Sequence, residues 1–215
     1  MQSHRRVLLL EAMTRPTHLP PVSRSDTARA GLVVFVASCA TLVLELVASR
    51  VLAPFVGASL HTWTSIIGVV LLGISLGAWA GGRLADRGVW TRRLPALLAL
   101  GALASLAHLA VTAALGDGSA LRSIPLLPRT FLLTFVAFFP ASFVLSTVTP
   151  LALRRLLGEV ERAGRVAGLL YALGTMGGLA GNFLTGLVLL AYFSTPTIVL
   201  GVSGALALCA LLVLP

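Results

Sequence analysis

The chain has 215 residues, of which 57% are hydrophobic and 11% are charged, and its mean hydropathy is +0.98. A soluble domain carries about a quarter of its residues as charged side chains. The composition therefore excludes an ordinary soluble fold and predicts an integral membrane protein. The formal net charge of +9 would suit a nucleic-acid binder only on a soluble basic surface, whereas these charges lie in short blocks between apolar segments. We expect no nucleic-acid partner.

The chain order predicts a flexible cytoplasmic tail at 1–28, followed by a six-helix transmembrane domain at 29–215. Each apolar segment is long enough for a hydrocarbon core, which takes about 20 helical residues. The six segments lie approximately at 30–49, 63–84, 94–115, 130–152, 166–192 and 197–214. Because the connections are short, neighbouring helices should be antiparallel. The predicted fold class is an all-α integral membrane protein.

The distribution of arginine predicts the orientation of these helices. The tail holds five arginines, and the second-to-third and fourth-to-fifth connections hold four each. Only Arg50, Arg122 and Arg129 fall on the opposite side. Positive charge is enriched on the cytoplasmic side of membrane proteins. We therefore expect a multi-pass protein of a bacterial cytoplasmic (inner) membrane, with both termini in the cytoplasm.

Glu45 is the most unusual residue of the first helix, which is predicted to end near Arg50 and to be followed by a Pro/Gly turn. A carboxylate within a membrane is costly and normally faces the protein interior or a cavity. Glu45 could bind a proton or a transported amine, in a polar path with Arg50, His108 and Asn182. Alternatively, Glu45 fixes the fold through a hydrogen bond or an ion pair with Arg50 or Arg129.

Two helices carry glycine at helical spacing, which allows a close approach of backbones. Glycines at intervals of three or four residues fall on one helical face. The faces consist of Gly73, Gly77 and Gly81 in the second helix and Gly174, Gly177, Gly178 and Gly181 in the fifth. They could pack within the six-helix unit or receive a partner protein or a second copy.

A charged cluster follows the second helix on the predicted cytoplasmic side. It consists of Asp86, Arg87, Arg92 and Arg93. Asp86 and Arg87 are expected to bond to the arginine-rich connection or to a helix terminus. Membrane lipids are the other expected partners of the chain, with anionic headgroups matching the excess positive charge.

Several motifs together resemble the membrane portion of the fused major-facilitator/spermidine-synthase family. In the first half they are Glu45, Arg50, Ala53-Pro54, Gly57, Ser59, Thr62-Trp63-Thr64, Gly68 and Gly82-Arg83-Leu84-Ala85-Asp86. In the second half they are Thr149-Pro150, the run from Glu161 to Gly168, Tyr171-Ala172 and the stretch from Gly177 to Gly186. The resemblance covers roughly residues 30 to 200.

In that family an aminopropyltransferase-like soluble domain usually follows the membrane helices. The required strand, glycine-rich turn and helix do not occur in the printed sequence, because Gly201 to Gly204 falls within an apolar helix. Six helices with both ends inside also resemble one half of a major facilitator transporter, which is built from inverted three-helix repeats. The stretch from Gly82 to Gly88 is similar to the loop after the second helix of those transporters. It departs from their pattern because Val89-Trp90-Thr91 precedes Arg92-Arg93.

These observations favour a non-catalytic membrane subunit that packs through its glycine-rich helix faces into a larger complex. One alternative is a small amine or metabolite transporter that acts as a homodimer of half-transporters. Another is a membrane anchor for a separately encoded aminopropyltransferase-like enzyme. The sequence offers no nucleophile–base pair, metal cluster or phosphate loop, so we expect neither catalysis nor a cofactor or metal.

Overall fold

The computed structural model describes residues 24–87, 90–115, 123–157 and 163–214. Most of these residues are helical, and there is no β-strand among them. Six helical stretches are long and apolar enough to cross a membrane, which confirms the predicted all-α, six-span architecture. Most of the predicted tail lies outside the described residues. Its predicted end at residue 28 differs from the structure, in which the first helix already begins at Arg24.

The six spans are built from eight α-helices. Spans 1 to 3 are α1 (Arg24–Val56), α2 (Leu60–Asp86) and α3 (Trp90–Leu115). Span 4 consists of α4 (Leu126–Ser146) and α5 (Val148–Leu156). Span 5 consists of α6 (Ala163–Leu184), a π-helical turn (Thr185–Leu189) and α7 (Leu190–Tyr192), and span 6 is α8 (Thr195–Leu212).

The first helix is longer than the sequence predicted. Instead of ending near Arg50, α1 continues through Pro54 to Val56. Pro54 lies in the last turn of α1, so its missing N–H and the clash of its ring with the carbonyl four residues earlier affect only the end of the helix. The turn begins at Gly57, whose φ of +76° lies in the left-handed region that glycine adopts without strain.

The fourth span is interrupted where the sequence predicted one continuous helix. Thr147 separates α4 from α5. Three residues later, Pro150 has no N–H with which to donate to the carbonyl of Ser146, four residues before it. The local sequence therefore explains why the helix is least regular at this point.

Contacts between the spans form a pattern that repeats within the chain. Span 1 packs mainly against span 5, span 2 against span 4, and span 3 against span 6. Further contacts join span 1 to span 4, span 3 to span 4 and span 1 to span 6. If span 1 is exchanged with span 4, span 2 with span 5 and span 3 with span 6, the same set of contacting pairs results. The spans are therefore arranged with an approximate two-fold symmetry.

The two related halves run in opposite directions. Near the C-terminal end of span 1, Ala48 and Leu52 pack in one apolar cluster with Leu133, near the beginning of span 4. Near the N-terminal end of span 1, Val34 packs in another cluster with Leu156, at the end of span 4. Spans 1 and 4 are therefore antiparallel, and the halves form an inverted repeat.

Glycine contacts fix the register between spans 5 and 1. A Cβ atom placed on Gly177 would lie 2.3 Å from the carbonyl oxygen of Phe35, and one on Gly181 would lie 2.4 Å from that of Cys39. A Cβ atom essentially never comes this close to an oxygen, so the two backbones pack at a distance that only glycine permits.

Spans 2 and 4 repeat the same contact. A Cβ atom on Gly77 would lie 2.2 Å from the carbonyl oxygen of Phe143, and one on Gly81 would lie 2.7 Å from that of Thr147. Positions of span 1 thus correspond to positions 108 residues later in span 4, and positions of span 2 to those 100 residues later in span 5.

The sequence retains traces of this correspondence. Phe-Val-x-Ser-x-x-Thr occurs at residues 35–41 and again at 143–149. Gly-x-x-Ala-Gly-x-x-Leu occurs at residues 77–84 and again at 177–184. The matching residues include the four closely packed glycines and the pair Phe35 and Phe143, whose carbonyl oxygens make two of the close contacts. The repeat is therefore visible in both sequence and packing.

Candidate functional site

A groove of about 590 Å³ lies between spans 1, 2, 4 and 5. Its size falls in the range of small-molecule sites, about 300–1,000 Å³. Among the described residues, its lining contains no Asp, Glu, Arg or His side chain, and the polar groups there are hydroxyls and one amide. These polar residues are Ser38, Thr41, Ser146, Thr149, Tyr171, Thr175 and Asn182.

The groove lies on the approximate two-fold axis of the bundle. Five pairs of its lining residues are related by the correspondence of 108 or 100 positions defined above. The pairs are Ser38 with Ser146, Thr41 with Thr149, Leu42 with Pro150, Ile74 with Gly174, and Ala78 with Gly178. The inverted repeat therefore builds the groove by bringing the same helical positions together twice.

Three of the serine and threonine hydroxyls in the groove are free to bond to something outside the bundle. Serine and threonine within membrane helices usually donate back to a carbonyl one turn earlier, as Thr41 Oγ1 does to the Ala37 oxygen at 2.9 Å. Among the described residues, Ser38, Ser146 and Thr149 have no such bond and no other hydrogen-bond partner. The groove therefore offers donors and acceptors that the protein itself leaves unused.

The amide of Asn182 and the backbone of span 4 add to this polar character. Asn182 lines the groove, is exposed, and has no hydrogen-bond partner within the described ranges. The carbonyl of Ser146 does not receive the usual bond from residue 150, because that residue is proline. Hydroxyl, amide and carbonyl groups in one uncharged groove can bind water, a neutral polar molecule or polar groups of another protein.

Glu45 lies beside this groove rather than in it. It lines a narrow cleft between spans 1, 2 and 4, together with Thr41, Val70 and Ser142. Thr41 lines both the cleft and the groove. Glu45 follows Ser38 by seven residues and Thr41 by four, so the three side chains share one face of α1.

Glu45 is half-buried and has no hydrogen-bond or ion-pair partner in the part of the chain that the structure describes. The ion pair with Arg50 or Arg129 that the sequence suggested is therefore not formed. The position in span 4 that corresponds to Glu45 is Leu153. The carboxylate therefore has no counterpart at the equivalent position of span 4.

Arg50 stabilises a helix end instead of pairing with Glu45. Its Nη1 donates to the carbonyl oxygen of Leu190 in span 5. That carbonyl follows the π-helical turn, at the C-terminal end of the span, where a cation interacts favourably with the helix dipole.

Of the residues in the predicted polar path, Asn182 lines the groove and Glu45 lines the adjoining cleft, and Thr41 borders both. Arg50 lines neither the groove nor the cleft. The side chain of His108 lies outside what the structure describes.

The glycine-rich faces lie mainly inside the bundle. Gly73 would place a Cβ atom 2.1 Å from Ser142 Oγ, and the four glycines with close carbonyl contacts are described above. Gly174 and Gly178 have looser neighbours, with nearest contacts of 3.3 and 3.4 Å, and both line the groove. These two glycines are therefore the part of the stripes that a partner can reach.

The arginine-rich end of the bundle contains two specific contacts. Nη2 of Arg155 lies 2.7 Å from Oδ1 of Asp26, which ties the end of α5 to the start of α1. Nη1 of Arg93 donates to the Leu84 carbonyl at 3.4 Å, near the end of α2. The sequence predicted that Asp86 and Arg87 bond to the arginine-rich connection or to a helix terminus, whereas the side chain that bonds to the end of α2 is that of Arg93.

Asp86 and Arg87 are exposed at the end of α2. Within the described ranges neither has a hydrogen-bond or ion-pair partner from a side chain. The side chain of Arg92 lies outside the part of the chain that the structure describes. Across the same ranges, no three His, Cys, Asp or Glu side chains come together in a way that could hold a metal ion.

Comparison of the chain with models of known protein families, with curated proteins and with solved structures found no match. The features of the chain that bear on function are the symmetric groove, Glu45 beside it and the charges at the ends of the bundle.

Proposed function

We propose that this chain is a non-catalytic six-helix membrane subunit that packs against a protein partner in a larger complex. The groove carries the proposal, because Ser38, Ser146 and Thr149 have no hydrogen-bond partner among the described residues. Hydrocarbon offers polar groups no hydrogen bond, and each unsatisfied group there costs several kcal/mol. A protein surface with polar side chains, or water held beneath it, would satisfy these groups.

The groove also revises which face the partner would use. The sequence suggested the glycine stripes, but Gly73, Gly77 and Gly81 are buried against span 4. Gly174 and Gly178 line the groove and remain accessible from outside. We therefore propose that the partner covers the groove and meets span 5 at these two glycines.

The proposal includes an orientation and a membrane. The excess of arginine at one end supports a bacterial inner-membrane protein with both termini in the cytoplasm. The inverted repeat of three helices supports the resemblance to one half of a major facilitator transporter, since such halves are built in this way.

Native mass spectrometry of the full chain, extracted gently from its source membranes, tests this proposal. The expected result is a stoichiometric complex with a different protein. Ala78→Phe fills the groove, because Ala78 lines it and is exposed, and should remove that partner. Ala180→Phe is the matched control, since Ala180 is also exposed but does not line the groove.

The control should retain its partner at the wild-type ratio. A complex that survives Ala78→Phe unchanged would show that the partner binds elsewhere. A protein that is extracted as a monomer, with the groove intact and no partner, would contradict the proposal as a whole.

A second candidate function is favoured by one observation, the unpaired Glu45 next to the groove. In this candidate the chain is a small amine transporter, active as a homodimer of half-transporters. An intramembrane carboxylate that has no structural partner is suited to binding a proton or an ammonium group.

Flux of protons or amines into proteoliposomes tests the transporter. Glu45→Gln should abolish flux while the protein keeps its fold, because the amide is similar in shape but does not carry the charge. Asp26→Asn is the control, since Asp26 is a carboxylate at the end of the bundle and paired with Arg155. Flux that is equal in Glu45→Gln and wild type would remove Glu45 from the mechanism.

A further inference from the structure

An arginine stacks on an indole ring on the outer surface of span 2. The Cζ atom of Arg83 lies 3.9 Å from the centre of the Trp79 ring. Trp79 is 58% exposed and Arg83 is also exposed. The two residues are four positions apart and so lie on one side of α2. That side faces away from the bundle, where lipid surrounds a membrane protein.

The stacked pair lies close to the boundary between membrane and water. Arg83 precedes the end of α2 at Asp86 by three residues, and Arg87 follows on the same side of the helix. This end of the bundle is strongly basic. The exposed arginines at this end are Arg29, Arg83, Arg87, Arg154 and Arg165.

Carboxylates do not neutralise this surface in the described part of the chain. Asp26 is paired with Arg155, and Asp86 is exposed without an ion-pair partner. Arg83 itself has no hydrogen bond or ion pair within the described ranges. The ring of Trp79 covers one side of its guanidinium group and makes no hydrogen bond to its N–H groups. They can bind a phosphate in a bidentate manner.

We propose that Trp79, Arg83 and Arg87 form a binding site for the headgroup of an anionic phospholipid. The indole lies at the level where aromatic side chains anchor to the interface. The guanidinium group of Arg83, held by the ring, donates to the phosphate, and Arg87 adds a second positive charge. Two arginines against the single carboxylate of Asp86 favour a lipid with net negative charge over a zwitterionic one.

The inverted repeat supplies a comparison for this site within the same molecule. The positions in span 5 that correspond to Trp79 and Arg83 are Leu179 and Phe183. Both are exposed and apolar. The repeat therefore placed two equivalent outer surfaces in the membrane, and only the one at the arginine-rich end has acquired a cation and an indole.

Lipid titration of the full chain, followed by native mass spectrometry, tests the site. The two lipids are phosphatidylglycerol and phosphatidylcholine with identical acyl chains. The wild type should bind phosphatidylglycerol more tightly. Arg83→Gln should weaken this binding about tenfold, since the hydrogen bonds to a charged phosphate are lost. Arg83→Lys should weaken the binding of phosphatidylglycerol less, because lysine keeps the positive charge and loses only the bidentate hydrogen bonds.

Arg154→Gln is the matched control, because it removes the same charge from an exposed residue at the same end of the bundle. It should change lipid affinity less than twofold. Equal losses in Arg83→Gln and Arg154→Gln would show only diffuse attraction and overturn the site. Equal binding of the two lipids by the wild type would also overturn it. An unchanged thermal unfolding midpoint in each variant shows that folding does not explain the result.

Discussion

Single glycines determine how closely the spans of this protein approach one another. At Gly77, Gly177 and Gly181 the facing atom is a backbone carbonyl oxygen, which cannot rotate away as a side chain can. Other glycines of the same spans, such as Gly82 and Gly186, have open space where a Cβ atom would lie. Glycine content alone therefore does not reveal which positions matter.

Gly77→Ala should destabilise the protein by about 1–3 kcal/mol, the usual cost of forcing an extra methyl group into a packed interior. The added atom would lie 2.2 Å from the Phe143 carbonyl oxygen. Gly82→Ala, in the same helix, should be neutral or slightly stabilising, since nothing lies within 4 Å. Reversible unfolding in mixed micelles measures both. Equal stability of the two variants would contradict the observed contact between α2 and α4.

The helices of this protein were predictable because the signal for a membrane span lies within one continuous segment of the sequence. Each span is a continuous apolar segment, and all six were found from length and composition. Their ends were less predictable. The first helix continues past Arg50 because a proline near a helix end removes little, and α1 begins at Arg24, within the segment predicted as a tail.

The groove was not predicted, because it forms from positions far apart in the chain. Its candidate residue Asn182 was recognised as polar, but the hydroxyls of Ser38 and Ser146 looked like ordinary helix residues. A signal was present in the repeated Phe-Val-x-Ser-x-x-Thr motif at 35–41 and 143–149. Comparing the chain with itself would have shown that two helices carry the same polar face.

The partners of charged residues were also unpredictable from sequence. Glu45 and Arg50 are only five residues apart, yet Arg50 contacts Leu190, 140 positions away. Asp26 pairs with Arg155, across a comparable distance in sequence. Ion pairs and helix caps between spans depend on helix rotation, which the length and hydrophobicity of a segment do not determine.

At the scale of the whole molecule, the two halves interlock rather than fold side by side. The principal pairs are span 1 with span 5, span 2 with span 4 and span 3 with span 6, and each joins one half to the other. Neither set of three spans has extensive contacts of its own. The stable unit is therefore the complete set of six spans.

Residues 24–115 and 123–214, produced as separate chains, should associate when they are made together in one cell. Each half alone should be degraded, because its glycine faces and carbonyls lack their counterparts. Capture of the untagged first half by a tagged second half measures the association. Gly77→Leu in the first half should reduce the capture, and Gly82→Leu should not. A first half that accumulates alone at the level of the pair would contradict interlocking.

Because the two halves interlock, the spans cannot pack fully until both halves have been synthesised. Spans 1 to 3 enter the membrane while spans 4 to 6 are still being translated, because synthesis proceeds from the N-terminus. During that interval the glycine face of α2 has no opposite surface, and neither does the carbonyl row of α1 at Phe35 and Cys39. The helices of spans 1 to 3 therefore remain separate from one another in lipid, and packing begins only when α4 has entered the membrane. Close packing of α1 needs the glycines of α6, so the bundle of six helices takes its final form only after span 5 has been made.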